Sequence, residues 1–136
     1  MKLLIDAGNT RIKWALVNKG GDWLRDGILP VGRASELPGL FAGTQDLEQI
    51  WVSNVAGEQV AHPIRTIAAG RAVQIHFAVA QEMQCGVRNG YTHVAQLGSD
   101  RWASLIAAWH LVQGKCLVVN CEIGRASCRE RVLRRV

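Results

Sequence analysis

The chain has 136 residues, of which 49% are hydrophobic, and a formal net charge of +5 at pH 7. This length suits one domain or one lobe of a larger protein. Residues 121–136 hold five of the arginines, whereas the rest of the chain carries 11 basic and 9 acidic side chains. Because the positive charge is concentrated in the tail, and no basic stripe interleaved with aromatic residues precedes it, nucleic acid is not expected as a partner.

The hydropathy pattern argues against a membrane protein. No apolar run reaches the ~18 residues that a membrane span needs. Asp6, Asn9 and Arg11 interrupt the apolar start, so it does not form a signal peptide. We therefore expect a soluble, cytoplasmic protein with no membrane partner. Four cysteines, at positions 85, 116, 121 and 128, form no C-x-x-C pair and match no zinc spacing, so free thiols are expected.

The first third of the chain has the pattern of three β-strands. Residues 2–7, 12–17 and 23–31 are β-type segments, and turn signals separate them at Gly8-Asn9-Thr10 and Asn18-Lys19-Gly20-Gly21. Neighbouring strands joined by tight turns predict an antiparallel meander.

Helices and strands then alternate. Residues 35–42 and 44–49 are interpreted as two short helices, with Ser35 and Thr44 as N-caps. Residues 50–55 are predicted to form a strand, 58–69 a helix that contains Pro63, and 72–79 another strand. Residues 81–94 show no clear period and are interpreted as a loop.

The strongest helix prediction covers residues 99–112. Its apolar residues recur at helical spacing on one face. After the helix, Gly114 is predicted as the terminating glycine, and residues 115–119 as a last strand. A meander followed by alternating elements predicts an α/β layered lobe over residues 1–119. The arginine-rich residues 120–136 are predicted to form a disordered or weakly helical tail. The apolar face of the helix consists of Trp102, Leu105, Ile106, Trp109 and Val112.

The turn between the first two predicted strands has the composition of a phosphate-binding hairpin. Gly8 allows backbone N–H groups to approach an oxygen closely, and Asn9 and Thr10 offer small polar donors. Asp6 is placed to hold Mg²⁺, and Lys13 to meet phosphate charge. From these residues alone, an ordinary turn in which Asp6 bonds its own backbone is equally compatible. The Walker motif is absent.

A second candidate site lies at the start of the long predicted helix, in Leu97-Gly98-Ser99-Asp100-Arg101-Trp102. A helix N-terminus attracts anions, and the planar fork of Arg101 suits a carboxylate or a phosphate. Simple capping by Ser99 and Asp100 explains the same spacing.

Together the two segments resemble a known family. Asp6-x-Gly8-Asn9-Thr10-x-x-Lys13 resembles the phosphate motif of the type III pantothenate kinases. Tyr91, followed by Gln96-Leu97-Gly98-Ser99-Asp100-Arg101-Trp102, is similar to that family's pantothenate-binding and catalytic segment. The order and separation of the two segments match as well, so the resemblance covers about residues 1–119.

The resemblance implies the amino-terminal lobe of the actin-like fold, which the acetate and sugar kinases and the heat-shock proteins share. It also implies ATP-dependent phosphorylation of pantothenate to 4′-phosphopantothenate, the first step of coenzyme A synthesis, with Mg²⁺, a K⁺ ion and a homodimer. Asp100 would be the catalytic base. Pantothenate would be bound by Tyr91, Gly98, Ser99, Asp100 and Arg101. The ATP site would consist of Asp6, Ala7, Gly8, Asn9, Thr10, Arg11, Ile12 and Lys13.

The sequence departs from the family after residue 119. The family's second phosphate motif, D-x-G-T, is replaced by Asn120-Cys121-Glu122-Ile123, so Asn120 stands at the K⁺-binding position. The tail looks non-native, and the chain looks like an incomplete kinase. A regulatory or accessory protein of the same fold and a merely structural α/β domain are the alternatives. A carboxylate beside an arginine favours the enzyme.

Overall fold

The computed structural model describes residues 1–122 and 125–127, with side chains over residues 1–119. The chain divides into two compact units, Met1–Ala78 and Val79–Val136. The first unit is a mixed α/β layer, as predicted. The predicted limits of the lobe, residues 1 and 119, remain a prediction.

A five-stranded sheet in the order β3-β2-β1-β4-β5 forms the first unit. Strands β1, β2 and β3 are consecutive and antiparallel, so the predicted meander is confirmed. Strands β4 and β5 extend the sheet on the other side of β1 in parallel orientation. The strands are β1 Lys2–Ala7, β2 Arg11–Val17, β3 Trp23–Pro30, β4 Gln49–Asn54 and β5 Gln74–Phe77.

The core of this unit lies on one face of the sheet. In β1, Leu3, Ile5 and Ala7 are buried and alternate with exposed residues, as the two-residue period of a strand requires. They pack in one cluster with Phe41 from helix α1 (Leu37–Phe41) and Ile64 from helix α2 (Glu58–Ala68). Polar residues of the strands therefore remain on the opposite face, away from the core.

The short helix predicted over residues 35–42 is present as the end of a 3₁₀ helix, Val31–Glu36, followed by α1, whose N-cap is Glu36 rather than Ser35. The second short helix predicted before β4 is wrong. Residues 44–49 are not helical: Gln45 and Asp46 form a turn, and Gln49 is the first residue of β4. The Thr44 N–H donates to Phe41 O at 3.1 Å, and the Glu48 N–H donates to Met1 O at 3.0 Å. Leu47 is buried in the core. Strand β5 is shorter than its prediction.

The second unit begins with a small hairpin that sequence reasoning treated as a loop. Strand β6, Met83–Gln84, pairs with β7, Val87–Arg88. Cys85 and Gly86 between them have φ of 51° and 76°, so both turn residues are left-handed, as in a type I′ turn. A 3₁₀ turn, Val94–Gln96, and helix α3, Ser99–Val112, follow.

Helix α3 occupies the predicted residues and buries most of the predicted face. Trp102 and Leu105 are buried, and Ile106 and Trp109 pack against the same cluster, whereas Val112 is 54% exposed. The left-handed residue that ends α3 is Gln113, with φ of 52°, and not the predicted Gly114.

The predicted last strand is wrong, because residues 115–119 have no hydrogen-bonded strand beside them. Beyond them, Asn120–Glu122 (β8) pairs with Arg125–Ser127 (β9) in an antiparallel hairpin. These six residues are therefore extended rather than helical or disordered. The rest of the predicted tail lies outside the described residues.

Candidate functional site

The turn between β1 and β2 is tied to its neighbours through the backbone. The Gly8 N–H donates to Arg11 O at 3.0 Å and closes the turn. The Val31 N–H, just after β3, donates to Thr10 O at 3.1 Å. The Val55 N–H, just after β4, donates to Ala7 O at 2.9 Å. The turn is therefore held from one side by the segment after β3 and from the other side by the segment after β4.

The charged residues of the turn share one face of the sheet. Asp6 lies opposite Lys13 on β2 and beside Ser53 on β4. Because side chains alternate along a strand, all three lie on the face away from the core. Asp6, Asn9, Thr10 and Lys13 are exposed. A negative and a positive side chain are thus held next to a turn with exposed polar groups.

Three predicted ATP-site residues, Ala7, Gly8 and Ile12, have fewer groups available to a ligand than the exposed residues of the turn. Ala7 and Ile12 are fully buried in the core, so only their backbone atoms are available to a ligand. Gly8 has no left-handed φ, and a Cβ on it would meet only Arg11 O, at 3.5 Å. Its own N–H is used within the turn. The turn can therefore form with another residue at position 8.

Sequence reasoning missed the end of β4, which lies beside this turn. The Ala56 N–H donates to Asn54 Oδ1 and the Asn54 Nδ2 donates to Gly57 O, both at 2.9 Å. Gly57, with φ of 83°, precedes the first residue of α2. Carboxyl ends of adjacent parallel strands are the usual ligand-binding edge of an α/β sheet. The pairing of β1 with β4 joins residues about 47 positions apart, and no local pattern in the sequence predicts it.

In the second unit, helix α3 begins without a side-chain cap. Gly98 is the N-cap residue and has no side chain to bond the first-turn N–H groups, and no side-chain cap hydrogen bond forms there. The N-cap position is therefore occupied by Gly98 and not by Ser99, which is the first residue of the helix. The first-turn N–H groups of such a helix favour an anion.

Packing holds this start of α3 in place. Leu97 and Trp102 are buried on either side of it. The Trp102 Nε1–H donates to Gln84 Oε1 on β6 at 2.7 Å, and the Ser104 hydroxyl donates to the carbonyl oxygen of Asp100 at 2.9 Å. Asp100 and Arg101 lie between these anchors and are half-buried. The first turn of α3 therefore carries one negative and one positive side chain.

Tyr91 joins the same cluster. Its side chain packs against the hydrophobic residues that include Leu97 and Trp102, and its backbone N–H donates to Asn89 Oδ1 at 3.0 Å. The structure therefore brings Tyr91 and the start of α3 into one unit, as the sequence predicts for a substrate site. Asn89 was not predicted, because a single Asn in a loop gives no pattern.

The part of the chain that the structure describes contains neither a metal-binding cluster nor a membrane-spanning helix. Within them no group of three or more His, Cys, Asp or Glu side chains is placed to hold a metal ion. No helix there is long and apolar enough to cross a membrane. The side chain of Asn120, the predicted K⁺ ligand, lies outside the described part of the chain.

The first unit is thus a mixed α/β layer with a polar turn at the carboxyl edge of β1, and the second unit contains a helix whose first turn carries a carboxylate and an arginine. The profile of the family "Type III pantothenate kinase" matches residues 2–127. The chain belongs to this family. The match extends beyond residue 119, into β8 and β9.

Curated relatives carry the same family name. The chain is 40% identical to the type III pantothenate kinase of Nitrosospira multiformis over 118 residues, which is 87% of this chain and 45% of that protein. It is 42% identical to that of Aromatoleum aromaticum over 120 residues, 88% of this chain and 49% of that protein. It is 44% identical to that of Paraburkholderia xenovorans over 119 residues, which is 86% of this chain and 43% of that protein. The chain spans less than half the length of these relatives.

Proposed function

We propose that this chain supplies the phosphate-binding turn and the substrate-binding helix start of an enzyme that phosphorylates pantothenate with ATP to give 4′-phosphopantothenate, the first step of coenzyme A synthesis. Family membership supports this reaction. The observation that carries it is the start of α3, where half-buried Asp100 and Arg101 lie between buried Leu97 and Trp102. The actin-like fold is part of the same proposal.

In the first unit, the turn is proposed to bind the ATP phosphates. Asn9 and Thr10 offer exposed side-chain donors, and Lys13 is an exposed cation opposite Asp6. Mg²⁺ is usually held by one or two carboxylates together with substrate phosphates. The exposed carboxylate of Asp6, at the end of β1, fits that requirement. When bound, the ion would neutralise charge on the transferring phosphoryl group.

In the second unit, Asp100 is proposed as the general base. It accepts the proton of the primary hydroxyl of pantothenate as that oxygen bonds to the γ-phosphorus, and ADP leaves with the electrons of the broken P–O bond. Arg101 binds an anionic group of the substrate with its fork. Gly98 and Ser99 supply backbone N–H groups, and Tyr91 forms a side of the site.

The remaining expectations are supported by the family resemblance alone. A K⁺ ion would lie at position 120, where the neutral amide of Asn120 replaces a carboxylate, so weaker K⁺ binding is proposed. A homodimer and a cytoplasmic location belong to the proposal on the same basis. None of the catalytic steps above depends on them.

The test is product formation by a completed protein, in which residues 1–119 are followed by the remaining sequence of the Aromatoleum aromaticum relative. Pantothenate and ATP are incubated with it, and the product is identified by mass spectrometry. The proposal expects one added phosphoryl group on the primary hydroxyl of pantothenate. A folded protein that binds both ligands but transfers no phosphate would instead favour the accessory-protein alternative.

A further inference from the structure

Asn89 is the buried polar residue of the second unit. It is 7% exposed, and among the residues whose side chains the structure describes it is the one polar residue that is buried. A buried polar side chain normally has all of its donors and acceptors paired. Asn89 does not meet this rule.

The hydrogen bonds of Asn89 fix which way its amide is turned. Its side-chain oxygen accepts the backbone N–H of Tyr91 at 3.0 Å, and its own backbone N–H donates to Glu82 O at 2.8 Å. Because the Tyr91 N–H requires an acceptor, the oxygen and not the nitrogen must face it. The Nδ2 group is buried and has no acceptor among the described residues. Such a donor is unfavourable unless a further acceptor reaches it.

The position of Asn89 connects it to the candidate substrate site. It directly follows β7, whose Val87 is buried in the cluster that contains Leu97 and Trp102. The partner strand β6 bonds to α3 through Gln84 and Trp102. Asn89 therefore lies between the hairpin that supports the start of α3 and Tyr91, which packs against the same cluster.

We propose that the Asn89 Nδ2 donates a hydrogen bond to an oxygen of the substrate bound by Tyr91 and the start of α3, and that Asn89 is a specificity-determining residue. This inference rests on the proposed function. Pantothenate carries carboxylate, amide and hydroxyl oxygens, each of which is an acceptor for an amide N–H. A buried donor of this kind selects against analogues that lack the acceptor, because it would remain unpaired in their complexes.

The experiment is a titration of the ¹⁵N-labelled completed protein, in which residues 1–119 are followed by the remaining sequence of the Aromatoleum aromaticum relative, with pantothenate. Proton–nitrogen correlation spectra are recorded at each step. The Asn89 side-chain amide signals are assigned by their loss in Asn89→Asp. They are expected to shift together with the backbone signals of residues 99–101, with one common Kd.

Two variants test the donor itself. Asn89→Asp keeps an acceptor for the Tyr91 N–H, whereas Asn89→Ser is neutral and excludes charge repulsion as the cause. Both are expected to raise the Kd for pantothenate about tenfold or more, as for the loss of one hydrogen bond. The matched control is Asn18→Ser, since the Asn18 amide is exposed and already donates to Asp22 Oδ2 at 2.8 Å. Its Kd should equal that of the unaltered protein.

The outcomes separate this inference from the proposed function. Shifts of residues 99–101 without a shift of the Asn89 amide, and with unchanged affinity in both variants, would refute the inference and leave the pantothenate site standing. No shift anywhere at saturating pantothenate would overturn both. If the variants do not fold, the Asn89 side-chain amide signals are assigned by through-bond correlation to the Asn89 backbone, and their shift or lack of shift in the unaltered protein decides alone.

Discussion

At the scale of single residues, backbone contacts distinguish residues that shape a turn from residues that are placed to meet a ligand. Gly8 was predicted to be needed for close approach of phosphate. Its φ is not left-handed, and a Cβ would make only an ordinary 3.5 Å contact with Arg11 O. The fold therefore tolerates a side chain at position 8, and the effect of one on ligand binding can be measured separately.

Gly8→Val is expected to weaken ATP binding by the completed protein at least ~10-fold, because its side chain would occupy space at the turn that the phosphates approach. The β-meander should stay folded. Calorimetry with ATP and circular dichroism are run together, with Gly32→Val as the control, since a Cβ there meets nothing within 4 Å. Unchanged ATP affinity would mean that the hairpin is only a turn.

Asp100→Asn in the completed protein is expected to lower kcat at least ~10²-fold, because an amide cannot accept the proton of the substrate hydroxyl. The KM for ATP should change little. Steady-state phosphorylation of pantothenate measures both constants, and Asp46→Asn, in the connection before β4, is the control. Turnover near that of the unaltered protein would remove Asp100 from the mechanism.

At the scale of elements, the sequence predicted those with enough length to show a period. Strand β1 alternates cleanly, and α3 presents Trp102 and Leu105 at helical spacing, so both were found. Strands β6 and β7 have two residues each, which is too short for any period. The helix predicted over residues 44–49 is wrong because the path of this segment depends on a distant contact between Glu48 and Met1, which no local pattern shows. The proximity of Asn54 to the turn between β1 and β2 was not predicted either, because it also depends on a long-range pairing, that of β1 with β4.

The contact between Trp14 and Gly27 provides a test of β2–β3 packing. The Trp14 ring lies across Gly27, so a Cβ at Gly27 would be 2.6 Å from Trp14 Cζ2. The ring is also held edge-on against Phe41, 5.1 Å between centroids, with the Arg25 guanidinium over it. Gly27→Ala is expected to destabilise the protein by about 1–3 kcal/mol, because a ring packed in this way has to move.

Urea unfolding of the 136-residue chain, monitored by tryptophan fluorescence, measures this loss. Gly32→Ala is the matched control, because a Cβ there meets nothing within 4 Å. Equal midpoints for Gly27→Ala and the unaltered chain would show that the Trp14 ring does not need this close approach.

At the end of α3, in contrast to Gly27, a substitution is predicted to stabilise the protein. Gln113 has a left-handed φ of 52°, a conformation that costs a residue with a Cβ about 1 kcal/mol relative to glycine. Gln113→Gly should therefore raise the free energy of unfolding by up to about 1 kcal/mol. Gly114→Ala is the control, since its Cβ would be 3.7 Å from Val112 O, an ordinary contact, and little change is expected. A lower urea midpoint for Gln113→Gly than for the unaltered chain would contradict the left-handed conformation of Gln113.

At the scale of the whole molecule, the main observation is that the chain spans less than half the length of its relatives. Trp102 is buried, but several large apolar side chains in both units are exposed, among them Trp23 at 68% and Val79 at 64%. Leu111 is 84% exposed, and Leu117 is 60% exposed. On the order of 200 Å² of such surface corresponds to about 5 kcal/mol, comparable to the stability of a small domain.

We therefore predict that the 136-residue chain by itself is marginally stable or self-associates. Urea unfolding and light scattering measure the two properties. Leu111→Lys with Leu117→Lys should reduce association, since both side chains are exposed. A monomer that unfolds cooperatively at high urea concentration would contradict this expectation.

The most direct test of the central claim compares phosphopantothenate formation by the completed protein and by the 136-residue chain. Residues 1–119 are proposed to provide the phosphate turn and the catalytic base of a pantothenate kinase. The completed protein should then turn over at roughly 1–100 s⁻¹, the usual range for kinases, and the 136-residue chain should show little or no turnover. A completed protein that folds but forms no phosphopantothenate, while the intact Aromatoleum aromaticum relative does, would contradict the account.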